Sequence, residues 1–179
     1  MNSPLNVCAV VVTYHPDFGA LESLLAALTG QVAATVVVDN GSPADYAAWI
    51  RARAQDAVVP LFLGENMGVA AAQNRGIEWA RAHGCTHVVL FDQDSLPAHD
   101  MVGVLLEAAD AARARGVAVA ALGPRYTDER QDNPPPFLRV RGLRVERRRC
   151  VTPDTVVAVD YLIASGCLIP MDVLNAVGD

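Results

Sequence analysis

The sequence predicts an α/β protein with a parallel, doubly wound central sheet. Short β-rich runs recur along much of the 179-residue chain, and a segment with helical spacing of apolar residues separates each run from the next. The first run, VCAVVVT over residues 7–13, is apolar nearly throughout, as expected of a strand covered on both faces. Strands and helices that alternate at this spacing form a parallel sheet with right-handed crossovers.

The elements alternate as far as residue 122. Pro43 is expected in the first turn of the second helix, where its missing N–H costs no hydrogen bond, and Gly84 ends the third helix. The predicted strands cover residues 7–13, 35–38, 58–63, 86–91 and 117–122. The predicted helices between them cover residues 18–28, 43–54, 69–83 and 97–115.

The alternation stops after Gly123. Residues 124–136 have the composition of a loop, and their three consecutive prolines cannot join a sheet ladder. The remaining predicted elements are a hairpin over residues 137–149 that turns at Gly142, one or two strands within residues 156–170, and a helix from Met171.

Composition and charge exclude several classes of protein. The chain is 52% hydrophobic, yet no run reaches the ~18 apolar residues of a membrane span. The apolar run near the N-terminus is too short for that of a signal peptide. The net charge of −6 argues against nucleic acid as the main partner. All 14 basic residues are arginine, which excludes a P-loop lysine, a Schiff base and a lysine general base. We expect a folded, cytoplasmic protein.

The cysteines and histidines show no spacing typical of a metal site. The four cysteines, which we expect to be reduced and buried, are Cys8, Cys85, Cys150 and Cys167. The four histidines do not match a zinc motif either. Any metal ion must therefore be held by carboxylates.

Polar side chains follow the predicted strands at their carboxyl ends. In an open α/β sheet, ligands bind outside this edge. The polar groups at the four strand ends are Thr13-Tyr14-His15, Asp39-Asn40-Gly41-Ser42, Gly64-Glu65-Asn66 and Asp92-Gln93-Asp94. The sequence therefore predicts a binding site at this edge.

Asp92 and Asp94 are the candidate metal ligands. Residues i and i+2 at a strand end point to the same side, so the two carboxylates could converge on Mg²⁺ or Mn²⁺, which takes its other ligands from phosphate oxygens. The alternative is a turn in which an aspartate caps the next helix. The position after a buried strand favours the metal, because packing does not explain paired carboxylates there.

The second strand end has the features of a nucleobase site. The Asp39 carboxylate can accept the N3–H of a uracil or thymine ring, Gly41 allows close backbone approach, and Ser42 can cap the following helix. Tyr14, after the first strand, could stack on the base. The alternatives are a turn with an N-cap at 39–42 and an aromatic residue that only lines the rim.

Two further features have both a structural and a functional interpretation. Gly76 inside a predicted helix indicates close approach, either of a ligand or of the sheet, since glycine costs about 1 kcal/mol there relative to alanine. The segment from Arg139 to Arg149 carries six arginines and one glutamate. It could contact anionic lipid head groups or a sugar-phosphate acceptor, or it could be a solvated hairpin.

Four motifs, in this order and spacing, resemble family 2 glycosyltransferases of the GT-A fold, and most closely their bacterial rhamnosyltransferase-like branch. They are VVVTYHPD, VVVDNGS, NMGVAAAQNRGI and VLFDQDS, and the similarity continues through SGCLIP. The resemblance implies a Rossmann-like, three-layer α/β/α sandwich with a mainly parallel central sheet. It also implies inverting transfer of a sugar, rhamnose by analogy, from a dTDP- or UDP-linked donor to a saccharide or lipid-linked acceptor in cell-surface polysaccharide synthesis.

The resemblance also implies roles for individual residues. Asp94 would coordinate the Mg²⁺ or Mn²⁺ ion that bridges the two donor phosphates, and Asp92 would face the ribose or the metal. Gln73 stands where many relatives have arginine before the helix asparagine, so the pyrophosphate contact there differs. The implied donor-binding residues are Thr13, Tyr14, Asp39, Asn40, Ser42, Asn66, Gly68, Asn74, Asp92 and Gln93.

The resemblance further implies how the chain is organised. Residues 1–123 would form the nucleotide-sugar-binding core, and residues 124–179 would begin the acceptor side of the same domain. Family members continue after a segment like LNAVGD, so we expect the carboxylate base beyond Asp179 and name no catalytic residue before it. The arginine segment would allow association with the inner face of the plasma membrane.

Three other functions share some of these sequence features. The first is a non-catalytic nucleotide-sugar-binding module that lacks the base. The second is a phosphohydrolase of the haloacid-dehalogenase type, which FDQDS superficially matches, but that family needs its aspartates on the first strand and a later lysine. The third is a sugar-nucleotide pyrophosphorylase, which needs a glycine-rich N-terminal loop with a lysine.

Overall fold

A computed structural model describes residues 6–54, 57–127, 136–142, 144–150, 152 and 155–178. The strands are β1 (Val7–Thr13), β2 (Ala34–Asp39), β3 (Val58–Phe62), β4 (His87–Asp92), β5 (Phe137–Arg141), β6 (Arg144–Arg148) and β7 (Cys167–Pro170). The helices are α1 (Phe18–Leu28), α2 (Ala44–Arg51), α3 (Val69–Ala82), α4 (Met101–Ala114) and α5 (Met171–Val177). No helix among these residues is long and apolar enough to cross a bilayer.

The central sheet has five strands in the order β3-β2-β1-β4-β7. The first four run parallel, and β7 pairs antiparallel with β4 at the edge. In the register, Thr13 lies beside Asp39 on one side, and Val12 lies beside Asp92 on the other. The carboxyl ends of β2, β1 and β4 therefore lie next to one another.

The core lies in two layers, one on each face of the sheet. Alternate residues of β1 enter opposite layers: Val11 packs with α1, α2 and α4, whereas Val10 packs with α3 and α5. Both valines are completely buried, as a strand covered on both faces requires. The predicted three-layer sandwich with a mainly parallel sheet is confirmed.

Gly76 is the point at which α3 approaches the sheet most closely. A Cβ at this position would lie 2.3 Å from Cγ1 of Val10 in β1. The absence of a side chain therefore lets the helix pack against the strand, and the structural interpretation of this glycine holds.

The predicted strand at 117–122 is wrong. Val117 is half exposed, and only Leu122 pairs, in an antiparallel bridge to Leu168 with two backbone hydrogen bonds of 2.9 and 2.8 Å. The position beside β4 that a fifth parallel strand would occupy is taken by β7, which runs the other way. The apolar run consequently lies outside the sheet except at its last residue.

The fourth helix starts later than predicted, at Met101 rather than Pro97. The Gln31 side-chain amide donates to the Ala98 carbonyl at 2.9 Å and accepts the Val102 N–H at 3.1 Å. These bonds hold the chain before Met101 outside the helix and satisfy a free N–H of its first turn.

The remaining predictions were met in part. The hairpin is present as β5 and β6 and turns at Gly142, and 156–170 contains one strand, β7. The four cysteines are free, but Cys150 is only half buried. Most of the predicted loop over 124–136 lies outside the described residues.

Candidate functional site

The candidate site lies at the carboxyl edge of the sheet, between the ends of β1 and β4. From β1 the chain winds through β2 and β3 on one side of the sheet and returns to β4 on the other. Crossovers on opposite sides of two adjacent strands leave a crevice between them, where open α/β sheets bind ligands. Tyr14 follows β1, and Asp92-Gln93-Asp94 ends and follows β4.

Gln93 joins these two strand ends. Its side-chain Oε1 accepts the Tyr14 N–H at 2.8 Å, and its Nε2 donates to the Tyr14 carbonyl at 3.3 Å. The Tyr14 ring is 46% exposed and meets the His15 ring edge-on, with centroids 4.4 Å apart. The tyrosine backbone is thus held in place while its ring remains available to a ligand.

At the end of β2, Asp39 shapes a tight turn. Its carboxylate, which is only 4% exposed, accepts the Ser42 N–H at 3.1 Å, and the Ser42 hydroxyl accepts the His15 N–H at 3.1 Å. His15 has a positive φ of +47°, which is uncommon for a residue other than glycine, so this contact stabilises an unusual backbone conformation. The expectation that Ser42 caps the next helix is wrong, because α2 has Pro43 at its N-cap and no side-chain bond there.

Thr13 joins the carboxyl end of β1 to helix α2. It is fully buried, and its hydroxyl is 2.9 Å from the hydroxyl of Tyr46 in α2. Burial raises the pKa of Tyr46 to about 12; its hydrogen bond to Thr13 works against this rise, and the nearby Asp39 carboxylate adds to it. The sequence does not identify Tyr46 as a residue of the site, because its position on the apolar face of a helix indicates only that it is buried.

A second hydrogen-bonded group joins the loop after β2 to the loop between β3 and α3. The Asn40 side chain donates to Asn66 Oδ1 at 3.0 Å and accepts the Met67 N–H at 2.9 Å, and Asn66 Oδ1 also accepts the Gly68 N–H at 3.0 Å. Gly41 lies against this loop, since a Cβ there would be 2.8 Å from the Glu65 carbonyl carbon. The two loops therefore form one rigid wall of the site.

Asn74 is the predicted donor-binding residue that lies apart from these contacts. It occupies the second turn of α3 and is partly buried. Within the described part of the chain, the hydrogen bonds that join the strand ends do not include it. Nothing in the geometry of the edge requires asparagine at this position.

Asp92 and Asp94 are both exposed at the end of β4. Partial burial raises the pKa of Asp92, and the neighbouring Asp94 carboxylate raises it further. The two negative charges therefore repel each other.

Ser165 joins the segment before β7 to the backbone at the end of β4. Its hydroxyl accepts the Asp92 N–H at 3.2 Å and also hydrogen-bonds to the Ser95 hydroxyl. The next residue, Gly166, donates its N–H to the Leu90 carbonyl at 2.7 Å. The sequence indicated this segment only through its resemblance to family motifs.

The Asp92–Asp94 pair fits a divalent cation that is only partly held by protein. The described residues contain no group of three or more histidine, cysteine or acidic side chains able to hold a metal ion. Mg²⁺ commonly binds one or two carboxylates and takes its other ligands from substrate phosphates and water. A cation there would also relieve the repulsion between the two carboxylates.

The clearest cavity in the described structure, about 380 Å³, lies elsewhere. It is at the opposite edge of the sheet, near the amino end of β4. It is lined by Cys85, Thr86, His87, Arg113, Pro170, Met171 and Asp172.

Comparison with known proteins identifies the family of the chain. The family model described as "Glycosyl transferase family 2" matches residues 10–164. The dTDP-rhamnosyl transferase RfbF of Shigella flexneri is 30% identical over 99% of this chain, which spans 57% of that protein's length.

Two solved structures share the fold. A crystal structure of S. aureus TarS 1-349 superposes with a TM-score of 0.62 at 16% identity, covering 95% of this chain and 48% of that one. A 4-diphosphocytidyl-2C-methyl-D-erythritol synthase superposes with a TM-score of 0.54 at 15% identity, covering 95% of this chain and 77% of that one. At these identities the likeness shows the fold, and it confirms the expected GT-A class.

Proposed function

Because the chain belongs to glycosyl transferase family 2, we propose that it serves the transfer of a sugar from a nucleoside-diphosphate sugar to an acceptor hydroxyl. The observation that carries this proposal is the arrangement at the β1–β4 crevice. Gln93 holds the Tyr14 backbone beside the loop that bears Asp92 and Asp94. An exposed aromatic ring that could receive a base and two exposed carboxylates that could receive a cation with phosphates thus lie at one edge of the sheet.

The donor we propose is dTDP-rhamnose, with a UDP-linked sugar as the second choice. The Shigella relative is named as a dTDP-rhamnosyl transferase and is 30% identical. In our assignment the Tyr14 ring stacks on the thymine, and Asp39 accepts the N3–H of the base. The wall formed by Asn40, Ser42, Asn66 and Gly68 lies beside the ribose and pyrophosphate.

Asp92 and Asp94 would hold Mg²⁺ or Mn²⁺ when the donor is bound. The ion supplies neutralisation of the negative charge that develops on the leaving nucleoside diphosphate. Ser165 keeps the Asp92 backbone in place, and Gln93 fixes the distance of this loop from β1. These residues thereby orient the two carboxylates toward the phosphates.

The transfer we propose proceeds with inversion. The acceptor oxygen forms a bond to the anomeric carbon as the bond from that carbon to the phosphate oxygen breaks, and a carboxylate base takes the acceptor proton. We assign donor binding to residues 1–123 and the start of the acceptor side to residues 124–179, and we assign the base to no residue of this chain. The acceptor is a saccharide or lipid-linked sugar in cell-surface polysaccharide synthesis, used in the cytoplasm.

Thermal unfolding with dTDP, with and without Mg²⁺, tests donor binding. Saturation at a hundred times Kd stabilises the folded state by about 2.7 kcal/mol. For a domain of this size the melting temperature should rise by about 5–10 °C. We expect the rise to depend on Mg²⁺ and to be lost in Asp94→Asn.

The matched control is Asp110→Asn, which removes an exposed carboxylate that pairs with Arg113 on α4. It should keep the full Mg²⁺-dependent rise. No rise with dTDP, UDP or GDP would contradict the proposed donor class. An equal rise in Asp94→Asn would contradict the assignment of the cation.

A further inference from the structure

The β5–β6 hairpin carries a charge opposite to that of the rest of the chain. Residues 137–149 contain six arginines and one glutamate, a net charge of +5. The rest of the chain has eight arginines against nineteen acidic residues. Basic charge in this acidic protein is therefore concentrated on one small element.

The hairpin cannot neutralise this charge itself. The register places Arg141 directly opposite Arg144, a like-charge pair that destabilises an isolated ladder. Glu146 is the acidic residue of the hairpin; it pairs with Arg148 at 2.7 Å and lies 4.0 Å from Arg141. The excess positive charge next to the turn is suited to an anionic partner.

The same end of the hairpin exposes apolar side chains. Val140 and Val145 lie directly opposite each other and are 53% and 61% exposed. They occupy the face opposite to Arg141 and Arg144, because neighbouring residues of a strand point to opposite sides. Side chains of both faces are thus exposed at this end, with the two valines on one face and Arg141 and Arg144 on the other.

Strand β5 of the hairpin is tied to the segment that supports the candidate site. The Asp160 side chain accepts the Val140 N–H at 2.6 Å, and Leu138 forms a bridge to Tyr161. Tyr161 is 63% exposed and precedes Ser165, which binds the Asp92 backbone, by four residues. Four extended residues span at most about 14 Å. Strand β5 is therefore near the carboxyl edge of the sheet.

We propose that the turn end of this hairpin, through Val140, Arg141, Arg144 and Val145, docks on an anionic lipid surface. Arginine head groups contact lipid phosphates while the paired valines, one residue from the turn, enter the interfacial region. A soluble anion would use the arginines but would leave the valines in water, so the combination favours a membrane. This docking would bring the Asp92 edge close to a lipid-linked acceptor, a consequence that rests on the proposed function.

Vesicle co-sedimentation of the chain tests this inference. We expect binding to vesicles of equal parts phosphatidylglycerol and phosphatidylcholine, little binding to phosphatidylcholine alone, and release as ionic strength rises. Arg141→Gln/Arg144→Gln should lower the vesicle affinity about 30-fold, because each arginine near an anionic surface contributes about fivefold. Val140→Ser/Val145→Ser should lower it several-fold.

The matched control is Arg113→Gln/Arg115→Gln, which makes the same change in net charge at the end of α4 and should bind vesicles as the wild type does. Equal binding to both vesicle types, or wild-type affinity in the hairpin arginine variant, would overturn the inference. Wild-type affinity in the valine variant, or full competition by inorganic phosphate, would show recognition of phosphate alone and would overturn it too.

The dTDP-dependent rise in melting temperature, measured on the same variants, keeps the two proposals separate and shows that each variant is folded. A rise without vesicle binding contradicts only the lipid surface. Vesicle binding without a rise contradicts only the proposed function.

Discussion

The side-chain amide of Gln93 hydrogen-bonds to both the N–H and the carbonyl of Tyr14, 79 positions earlier in the chain. The two residues follow β4 and β1, the strands between which the direction of winding changes. One amide side chain therefore fixes the distance between the two halves of the candidate site.

Removing this pair of bonds should weaken both folding and donor binding. Gln93→Glu keeps an acceptor for the Tyr14 N–H but places a carboxylate beside the Tyr14 carbonyl, and Gln93→Ala removes both bonds. We expect each variant to lose about 1 kcal/mol of unfolding free energy. Urea denaturation and a dTDP titration measure the two effects. Wild-type values in both variants would show that the amide does not hold the strand ends.

Gly41→Ala should be strongly destabilising. The added Cβ would lie 2.8 Å from the Glu65 carbonyl carbon and 2.9 Å from the Asn66 nitrogen, and φ at Gly41 is +91°. We expect a loss of more than about 2 kcal/mol, since backbone strain and a backbone clash add. Gly30→Ala is the control, because φ is +80° there but no atom lies within 4 Å of the Cβ position. Similar losses in the two variants would rule out the close contact between the loops.

Gly76→Ala and Gly103→Ala should have opposite effects on stability. Both glycines lie inside helices, but a Cβ at Gly76 would be 2.3 Å from Val10 Cγ1, whereas at Gly103 it would meet nothing within 4 Å. We expect Gly76→Ala to cost about 1–3 kcal/mol through overpacking. Gly103→Ala should gain up to about 1 kcal/mol from helix propensity.

Addition of Val10→Ala tests whether the contact with Val10 is responsible. The double variant Gly76→Ala/Val10→Ala should be more stable than the sum of the two single changes predicts. Strict additivity would mean that the strand does not limit the approach of α3.

His87 should make the protein less stable in mild acid. Burial lowers the pKa of His87 below its usual value of 6.5, and Arg113 lowers it further, while Asp110 and Asp172 oppose the shift. The Thr86 hydroxyl donates to the Asn6 carbonyl at 3.0 Å and so accepts from His87 Nδ1, which leaves Nε2 buried without a hydrogen-bond partner in the described structure. The folded state thus favours the neutral ring.

The unfolded chain therefore binds more protons than the folded chain once the pH falls below about 6.5. The stability contributed by the neutral ring is present above that pH and is lost as the pH falls through the lowered pKa. Urea denaturation over this range should show a smaller decline for His87→Gln than for wild type. His99→Gln, a change at an exposed histidine, should decline as wild type does. Identical slopes in all three proteins would contradict the assignment.

The strands β1 to β4 could be predicted from the sequence because each is a local apolar run bounded by polar or turn residues. The run at 117–122 has the same local character, yet it forms no strand. Strand β7 takes the place beside β4 that this run would need. The run then contacts the sheet through a single bridge, from Leu122 to Leu168 of β7. The occupant of a sheet edge is decided by competition between distant segments, which local periodicity does not report.

The same division applies to the candidate site. Asp39, Asp92 and Asp94 could be identified because each stands at or just after the end of an apolar strand. The partners that hold the edge could not be identified, since Tyr46 lies 33 positions from Thr13 and Ser165 lies 73 positions from Asp92. The local sequence places Ser42 as a cap of the nearest helix, but its hydroxyl instead accepts the N–H of His15, which follows the adjacent strand β1.

The sequence by itself determined the class of fold and the edge at which polar groups collect, because both follow from periodicity and from residues that are neighbours in the chain. Only the tertiary structure decided that Gln93 binds the Tyr14 backbone, that Gly76 accommodates Val10, and that the arginine-rich hairpin is tied to the site. Those contacts depend on strand order and register, and these are set when the two faces of the sheet are buried together.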